Sequence, residues 1–288
     1  MQNKVYISTS CFKTNNLKEI LDLCLENNFK NLELGSNIEY GDENLELISS
    51  LKGRSMNFIL HNYFPRPKND FVLNLASDDK KILSKSIAHC KKAIDLSVEL
   101  EAPFYSVHAG FAFHALPDDL GHQQIQLARI PYQKAYEIFL NSAKELADYA
   151  KIKNVKLAVE NGVVQRFNLI NGRNEIFLLI EAEDMLKFYK DISSDNLFYL
   201  VDLGHLKVNS ANLNFDREDR LNKILPYTIA FHLSENNGSF DQHLHFDDEI
   251  WFKDVLKNNR DKFFILESCK LALFQIKKCC ESIMSILN

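Results

Sequence analysis

FYLVDLGH, Phe198 to His205, is the stretch from which the fold can be read: four apolar residues run into Asp202, with His205 close behind. A short apolar run bounded by polar residues reads as a strand buried on both faces. Similar runs recur as VYIST from Val5, NLEL from Asn31, NFILH from Asn57, FYSVH from Phe104, KLAVE from Lys156, TIAFH from Thr228 and FFILE from Phe263. Between them lie longer stretches with helical spacing: Leu17 to Asn27, Glu43 to Leu51, Asp79 to Glu99, Tyr132 to Ala150, Ala182 to Tyr189, Arg217 to Lys223, Ile250 to Lys257 and Leu271 to Leu287. Strands alternating with helices predict a parallel sheet covered by helices, and eight repeats predict closure into a (β/α)8 TIM barrel, α/β in class. No Gly-rich phosphate fingerprint follows the first strand, which argues against a doubly wound dinucleotide-binding sheet.

A barrel accommodates the 288 residues as a single domain, 1–288. Apolar residues at 46% and charged residues at 25% are ordinary for a well-formed core and exclude a disordered chain. The net charge of -5 argues against a nucleic-acid surface, which usually carries a basic excess. The opening MQNKVYISTS lacks a long apolar segment with a cleavage site, and no apolar run reaches the ~20 residues that span a bilayer, so a cytoplasmic protein without a membrane partner is expected. The six cysteines, Cys11, Cys24, Cys90, Cys269, Cys279 and Cys280, form no C-x-x-C pair and read as free buried thiols, with at least one of Cys279 and Cys280 facing the core. One connection, Phe111 to Pro131, exceeds the usual βα loop and is a candidate lid or subunit contact.

The predicted strands end in a consistent way. Strand three ends at His61, four at His108, five at Glu160, six at Asp202, seven at His232 and eight at Glu267. Barrel closure brings these ends to one face, where active sites of this architecture lie. Buried carboxylates cost several kcal/mol unless paired or metal-bound, so Glu160, Asp202 and Glu267 together call for a cation. With His232 they make an O/N ligand set suited to Zn, Mn or Co. His61 and His108 can join Glu160 around a second ion, and His205 can join Asp241 and His243 around a third. For Asp241, His243 and His245 an ordinary polar loop is the competing reading.

On these residues the chain resembles the xylose isomerase-like barrel superfamily, through H-A-G at His108, V-E-N at Glu160, V-D-L-G-H at Asp202, F-H-L-S at His232 and L-E-S at Glu267. That superfamily holds sugar isomerases and epimerases, and also repair nucleases of the endonuclease-IV type. His61, His108, Glu160, Asp202, His205, His232, Asp241, His243 and Glu267 resemble the full ligand set of the nucleases' three zinc ions. The sequence departs from them in F-H-L-S-E, in the short segment from His232 to Asp241 and in the long loop after His108. H-N-Y-F-P-R-P, F-V-L-N-L-A-S, F-Y-S-V-H-A-G-F and D-L-G-H-L-K-V look instead like sugar phosphate isomerase/epimerase-like proteins.

That resemblance implies a metal-stabilised enediolate, with Glu160 and Glu267 as the acid/base pair. His205 and Lys207 would hydrogen-bond substrate oxygens, and Arg166 would hold a phosphate or carboxylate, with solvated surface charge the competing reading for Lys207 and Arg166. Tyr63, Phe64 and Phe111 would form an apolar wall beside the sugar ring or, equally, belong to the core. The small-molecule partner is a sugar or sugar phosphate, and a homodimer is implied by resemblance alone. Two other readings stay open: phosphodiester hydrolysis on DNA, for which Arg66 and Lys68 are the nearby cations, and a metal-binding barrel without catalysis.

Overall fold

Each apolar run forms a strand in the computed structural model, which describes residues 4–53 and 55–288. The strands are β1 (Val5–Ser8), β2 (Asn31–Leu34), β3 (Asn57–His61), β4 (Phe104–His108), β5 (Lys156–Glu160), β6 (Leu197–Asp202), β7 (Thr228–Leu233) and β8 (Phe263–Leu266). Neighbours pair in parallel in sequence order, and β8 closes on β1 by pairing Phe264 with Val5, Ile265 with Tyr6 and Leu266 with Ile7. The chain thus forms the expected (β/α)8 barrel. No described helix is long and apolar enough to cross a membrane.

The helices are α1 (Leu17–Glu26), α2 (Asn44–Leu51), α3 (Lys80–Glu99), α4 (Tyr132–Ile152), α5 (Ala182–Ile192), α6 (Leu203–Leu213), α7 (Arg217–Ile224), α8 (Lys253–Asn258) and α9 (Leu273–Leu287). Helix α6 was not expected. It follows β6 without a loop, and Asp202 serves both as the last strand residue and as the N-cap, accepting the His205 N–H at 2.8 Å. Helices α8 and α9 start later than the expected Ile250 and Leu271, because both residues are buried anchors in the approach to their helices.

Strand periodicity divides the core into two layers. Tyr6, Ile59, Phe104, Ala158, Leu200, Ala230 and Ile265 pack together inside the barrel. Their strand neighbours, such as Ile7, Leu60, Val159, Val201 and Leu266, join the larger core between strands and helices. Two residues beyond Ile59, Ala158, Leu200, Ala230 and Ile265 stand His61, Glu160, Asp202, His232 and Glu267, and four beyond Phe104 stands His108. Because strand side chains alternate faces, all six face the barrel interior, one layer nearer its C-terminal end.

All six cysteines are free. Cys11, Cys24, Cys90 and Cys279 are buried and Cys280 is half-buried, but Cys269, expected to be buried, is exposed. It lies past the end of β8 on the open face, where its N–H donates to the His243 carbonyl at 2.8 Å.

Candidate metal-binding active site

Glu160 is the hub of the cluster. Only 1% exposed, its Oε2 lies 3.3 Å from His61 Nε2 and 3.2 Å from His108 Nε2. Its Oε1 lies 3.4 Å from His205 Nδ1 and 3.5 Å from His232 Nδ1. Glu267 Oε2 approaches His232 Nδ1 from the other side at 2.9 Å. Further out, Asp241 Oδ2 lies 3.3 Å from His205 Nε2 and 3.0 Å from His243 Nε2. The structure thereby gathers all nine residues singled out as ligand candidates, in three groups: His61, His108 and Glu160; Glu160, Asp202, His232 and Glu267; and His205, Asp241 and His243; a fourth group joins His61 and His232 to Glu33. Within each group the potential donor atoms lie within 4.8 Å of one another.

Several details suit these groups to a cation. Both oxygens of Glu160, Asp202 Oδ2, His232 Nδ1, Asp241 Oδ1 and Glu267 Oε2 are buried without a hydrogen bond. Each such atom costs about 1–3 kcal/mol or more if left unsatisfied. His61 Nε2 and His108 Nε2 meet at 2.8 Å on the Glu160 side, an arrangement that needs a shared proton or a shared cation. Burial lowers the His61 pKa, so that ring is neutral and free to offer a lone pair.

The other imidazoles show how strongly the carboxylates attract positive charge. Burial opposes protonation of His232, yet Glu267, Glu33 and Glu160 together hold its pKa well above the ordinary value. Burial likewise opposes protonation of His205, but Asp202 and Asp241 raise its pKa to about 10. Among the acids, burial pushes Asp202 up to about 6, whereas for Glu267 it is outweighed by His232, leaving a pKa of about 2. Without a metal, imidazolium protons supply the compensating charge.

The sequence reading missed Glu33. In β2 it alternates with Leu32 and Leu34 of the outer core, so it points inward, fully buried, with Oε1 3.0 Å from His232 Nε2. A carboxylate behind a ligating histidine fixes its tautomer and ring orientation. The signal was present, because a carboxylate in the middle of a strand buried on both faces needs a partner. Asn161, just past β5, is a second tether: its Oδ1 accepts the Asp202 N–H at 2.8 Å, and its carbonyl lies 3.0 Å from His205 Nδ1. His243 occupies the left-handed region at φ 47°, which costs about 1–3 kcal/mol and turns its ring toward Asp241.

Above the cluster opens a cavity of about 500 Å³ whose floor includes His108, Glu160, His205, Asp241, His243 and Glu267. His61, Asp202 and His232 lie beneath it and do not line it. Tyr63 and Phe111 line the wall as expected, but Phe64 is buried in the core instead. Two expected substrate contacts lie elsewhere. Lys207 does not line the cavity, since its ammonium is held by the Glu235 carboxylate and donates to the Asn236 carbonyl at 2.7 Å. Arg166 is exposed on a short 3-10 turn outside the lining. The long connection 111–131 folds over one side, where Phe113, Pro117, Leu120 and Gln124 join the wall.

A family model described as a xylose isomerase-like TIM barrel matches residues 21–272. An uncharacterised protein of Methanocaldococcus jannaschii is 26% identical over 246 residues, covering 84% of this chain and 81% of its own. Among solved structures, a D-tagatose 3-epimerase-like protein superposes with a TM-score of 0.75 at 21% identity, covering 99% of this chain and 98% of its own. An L-ribulose 3-epimerase gives a TM-score of 0.66 at 15% identity, covering 98% of this chain and 90% of its own. At these identities the structural matches establish the fold.

Proposed function

The chain belongs to the xylose isomerase-like TIM-barrel family, and on that premise we propose that it is a divalent-metal-dependent sugar isomerase or epimerase. Glu160, Asp202, His232 and Glu267 would hold the ion, with His61 and His108, or His205, Asp241 and His243, offering further positions. When bound, the cation supplies positive charge that acidifies the C–H beside a sugar carbonyl and steadies the resulting enediolate.

One observation carries this reading. Of the four core residues, Glu160 and Glu267 line the cavity, whereas Asp202 and His232 are sealed below it. The two glutamates stand three strands apart and flank His232 Nδ1 at 3.5 and 2.9 Å. Both are ionised at neutral pH: burial opposes this, but His108 and His232 outweigh it at Glu160 and His232 does so at Glu267. A sugar carbon above them is open to a carboxylate on either side, one to remove the proton and the other to return it. An L-ribulose 3-epimerase and a D-psicose 3-epimerase of known structure share the barrel and support the same class of substrate.

The test is incubation of the manganese-loaded protein with ketoses in deuterated water. Deuterium appearing at the carbon beside the carbonyl is expected, and isomerisation without any incorporation would replace proton transfer with a hydride shift.

The three ligand groups favour a second reading, phosphodiester cleavage at abasic DNA sites by a trinuclear zinc centre. A protein from Thermus thermophilus soaked with zinc chloride shares the fold, with a TM-score of 0.67. Against it stands the cavity lining, where Arg66 is the one lysine or arginine among the described residues and is paired with Asp70. The zinc-loaded protein should leave an abasic oligonucleotide intact, and efficient cutting would establish the nuclease.

A further inference from the structure

We propose that the sugar accepted here is uncharged and carries an apolar, ring-sized substituent that lies on the aromatic wall of the cavity. The reacting end rests on the isomerase or epimerase reading; the substituent rests on the wall alone.

Charge is the first ground. A phosphate brings about −1.5 to −2 charges at pH 7, and the positive charge around the floor, imidazolium or bound cation, is already matched to Glu160, Asp241 and Glu267. A phosphate site built on side-chain charge would draw on a free guanidinium or ammonium group. Arg66 is the single such group in the described lining, and Asp70 engages its fork through Nε at 3.0 Å and through Nη2. Lys207 and Arg166, the other candidates, do not line the cavity. His108, His205 and His243 belong to the ligand cluster, which leaves His122, exposed at the rim, as the other basic ring.

The wall is the second ground. Tyr63 and Phe71, from the segment after β3, meet edge to face at 5.4 Å between ring centroids. Phe111 and Phe113, from the connection 111–131, stack at 4.3 Å, and Phe177 abuts Phe113 at 5.6 Å. Tyr63, Phe71, Phe111 and Phe177 are only half-buried, so they present ring surface to the cavity. The volume of about 500 Å³ lies within the ~300–1,000 Å³ typical of sites for drug-sized ligands, leaving room beyond a single sugar ring. One sugar ring lays a single C–H face on one of these aromatic rings, and the wall that remains uncovered is apolar surface that a second ring would bury.

The test uses the manganese-loaded protein and three probes: D-fructose, D-fructose 6-phosphate and 6-O-benzyl-D-fructose. They share one sugar and differ at one oxygen. Calorimetry should show the benzyl ether binding at least about tenfold tighter than fructose, and the phosphate binding no tighter than fructose. Phe111→Ala and Phe177→Ala should each bring the ratio of the benzyl and fructose Kd values toward unity. Asp70→Asn, a change at an exposed residue, should release Arg66 and tighten phosphate binding about fivefold. A phosphate that binds the unaltered protein more tightly than fructose would overturn the proposal. So would a benzyl ether without advantage, failure of all three probes to bind at millimolar concentration, or an Asp70→Asn variant with unchanged phosphate affinity. A benzyl preference without deuterium exchange in any probe would remove the proton-transfer reading and leave this one standing; exchange with a phosphate preference would do the reverse.

Discussion

Glu33 shows how a residue outside the lining of the active-site cavity can still set the chemistry above it. Its Oε1 is 3.0 Å from His232 Nε2, and this contact turns Nδ1 of the same ring toward Glu160 and Glu267. Glu33→Gln keeps the shape of the side chain but removes the charge that holds the ring, so manganese affinity should fall about 10–100-fold. Competition titration against a chelator measures it, and unchanged affinity would make Glu33 a packing residue only. Glu160→Gln and Glu267→Gln touch both the ion and the reacting carbon: each should lower turnover at least about a hundredfold in the deuterium assay. His89 lies outside the cluster and behaves differently. Stacked on Tyr63 at 5.1 Å, it is held neutral mainly by burial, which drops its pKa to about 4. A depressed pKa gives stability that is present above the ordinary value of 6.5 and lost as pH falls toward 4, by about 3 kcal/mol. A His89→Phe variant should lose that part of the acid sensitivity of the melting temperature, and an identical pH profile would show that the ring protonates without cost.

At the scale of elements, the connection 111–131 matters because its tip is tied down. The Gln124 N–H donates to Asn168 Oδ1 at 2.8 Å, the Asn168 amide donates back to Gln124 Oε1, and both residues are buried. Asn168→Ala leaves two buried polar groups of Gln124 without partners, at about 1–3 kcal/mol each, and should free the loop. The expected result is faster proteolysis within 111–131 and a raised KM with little change in kcat; unaltered proteolysis would show that the aromatic contacts alone hold the loop. The length of this loop was legible in the sequence, but its anchor was not, because Gln124 and Asn168 are 44 positions apart. Helix α6 escaped for a local reason. It buries Leu203, Gly204, His205, Leu206, Val208 and Asn209, so it shows no clean polar face, and it begins where β6 ends. The strands were easier to read, since barrel strands buried on both faces appear as bare apolar runs.

At the scale of the whole molecule, closure of the barrel is what makes the cluster, bringing Glu33 of β2 and Glu267, just beyond β8, to the same imidazole. The convergence of strand-end His, Asp and Glu residues followed from topology and was legible. The positions of Lys207 and Arg166 depended on loop conformation and on partners such as Glu235, which strand periodicity does not reveal. A cluster rich in carboxylates ties global stability to its cation. In the metal-free protein, Asp202 and Asp241 overcome burial to raise the His205 pKa from 6.5 to about 10. A raised pKa gives stability that is complete below 6.5 and fades as pH climbs toward 10. Chelator-treated protein should therefore melt at progressively lower temperature across that window. Bound metal takes over the charge compensation and displaces those protons. At a thousand times its Kd it adds about 4 kcal/mol, so the melting temperature of the loaded protein should stay nearly level over the same window. Calorimetric titration of manganese at pH 7, in two buffers of different ionisation enthalpy, should register proton release. A chelated protein whose melting temperature is level from pH 6.5 to 10, together with metal uptake that releases no protons, would mean that the imidazoles carry none of the compensating charge.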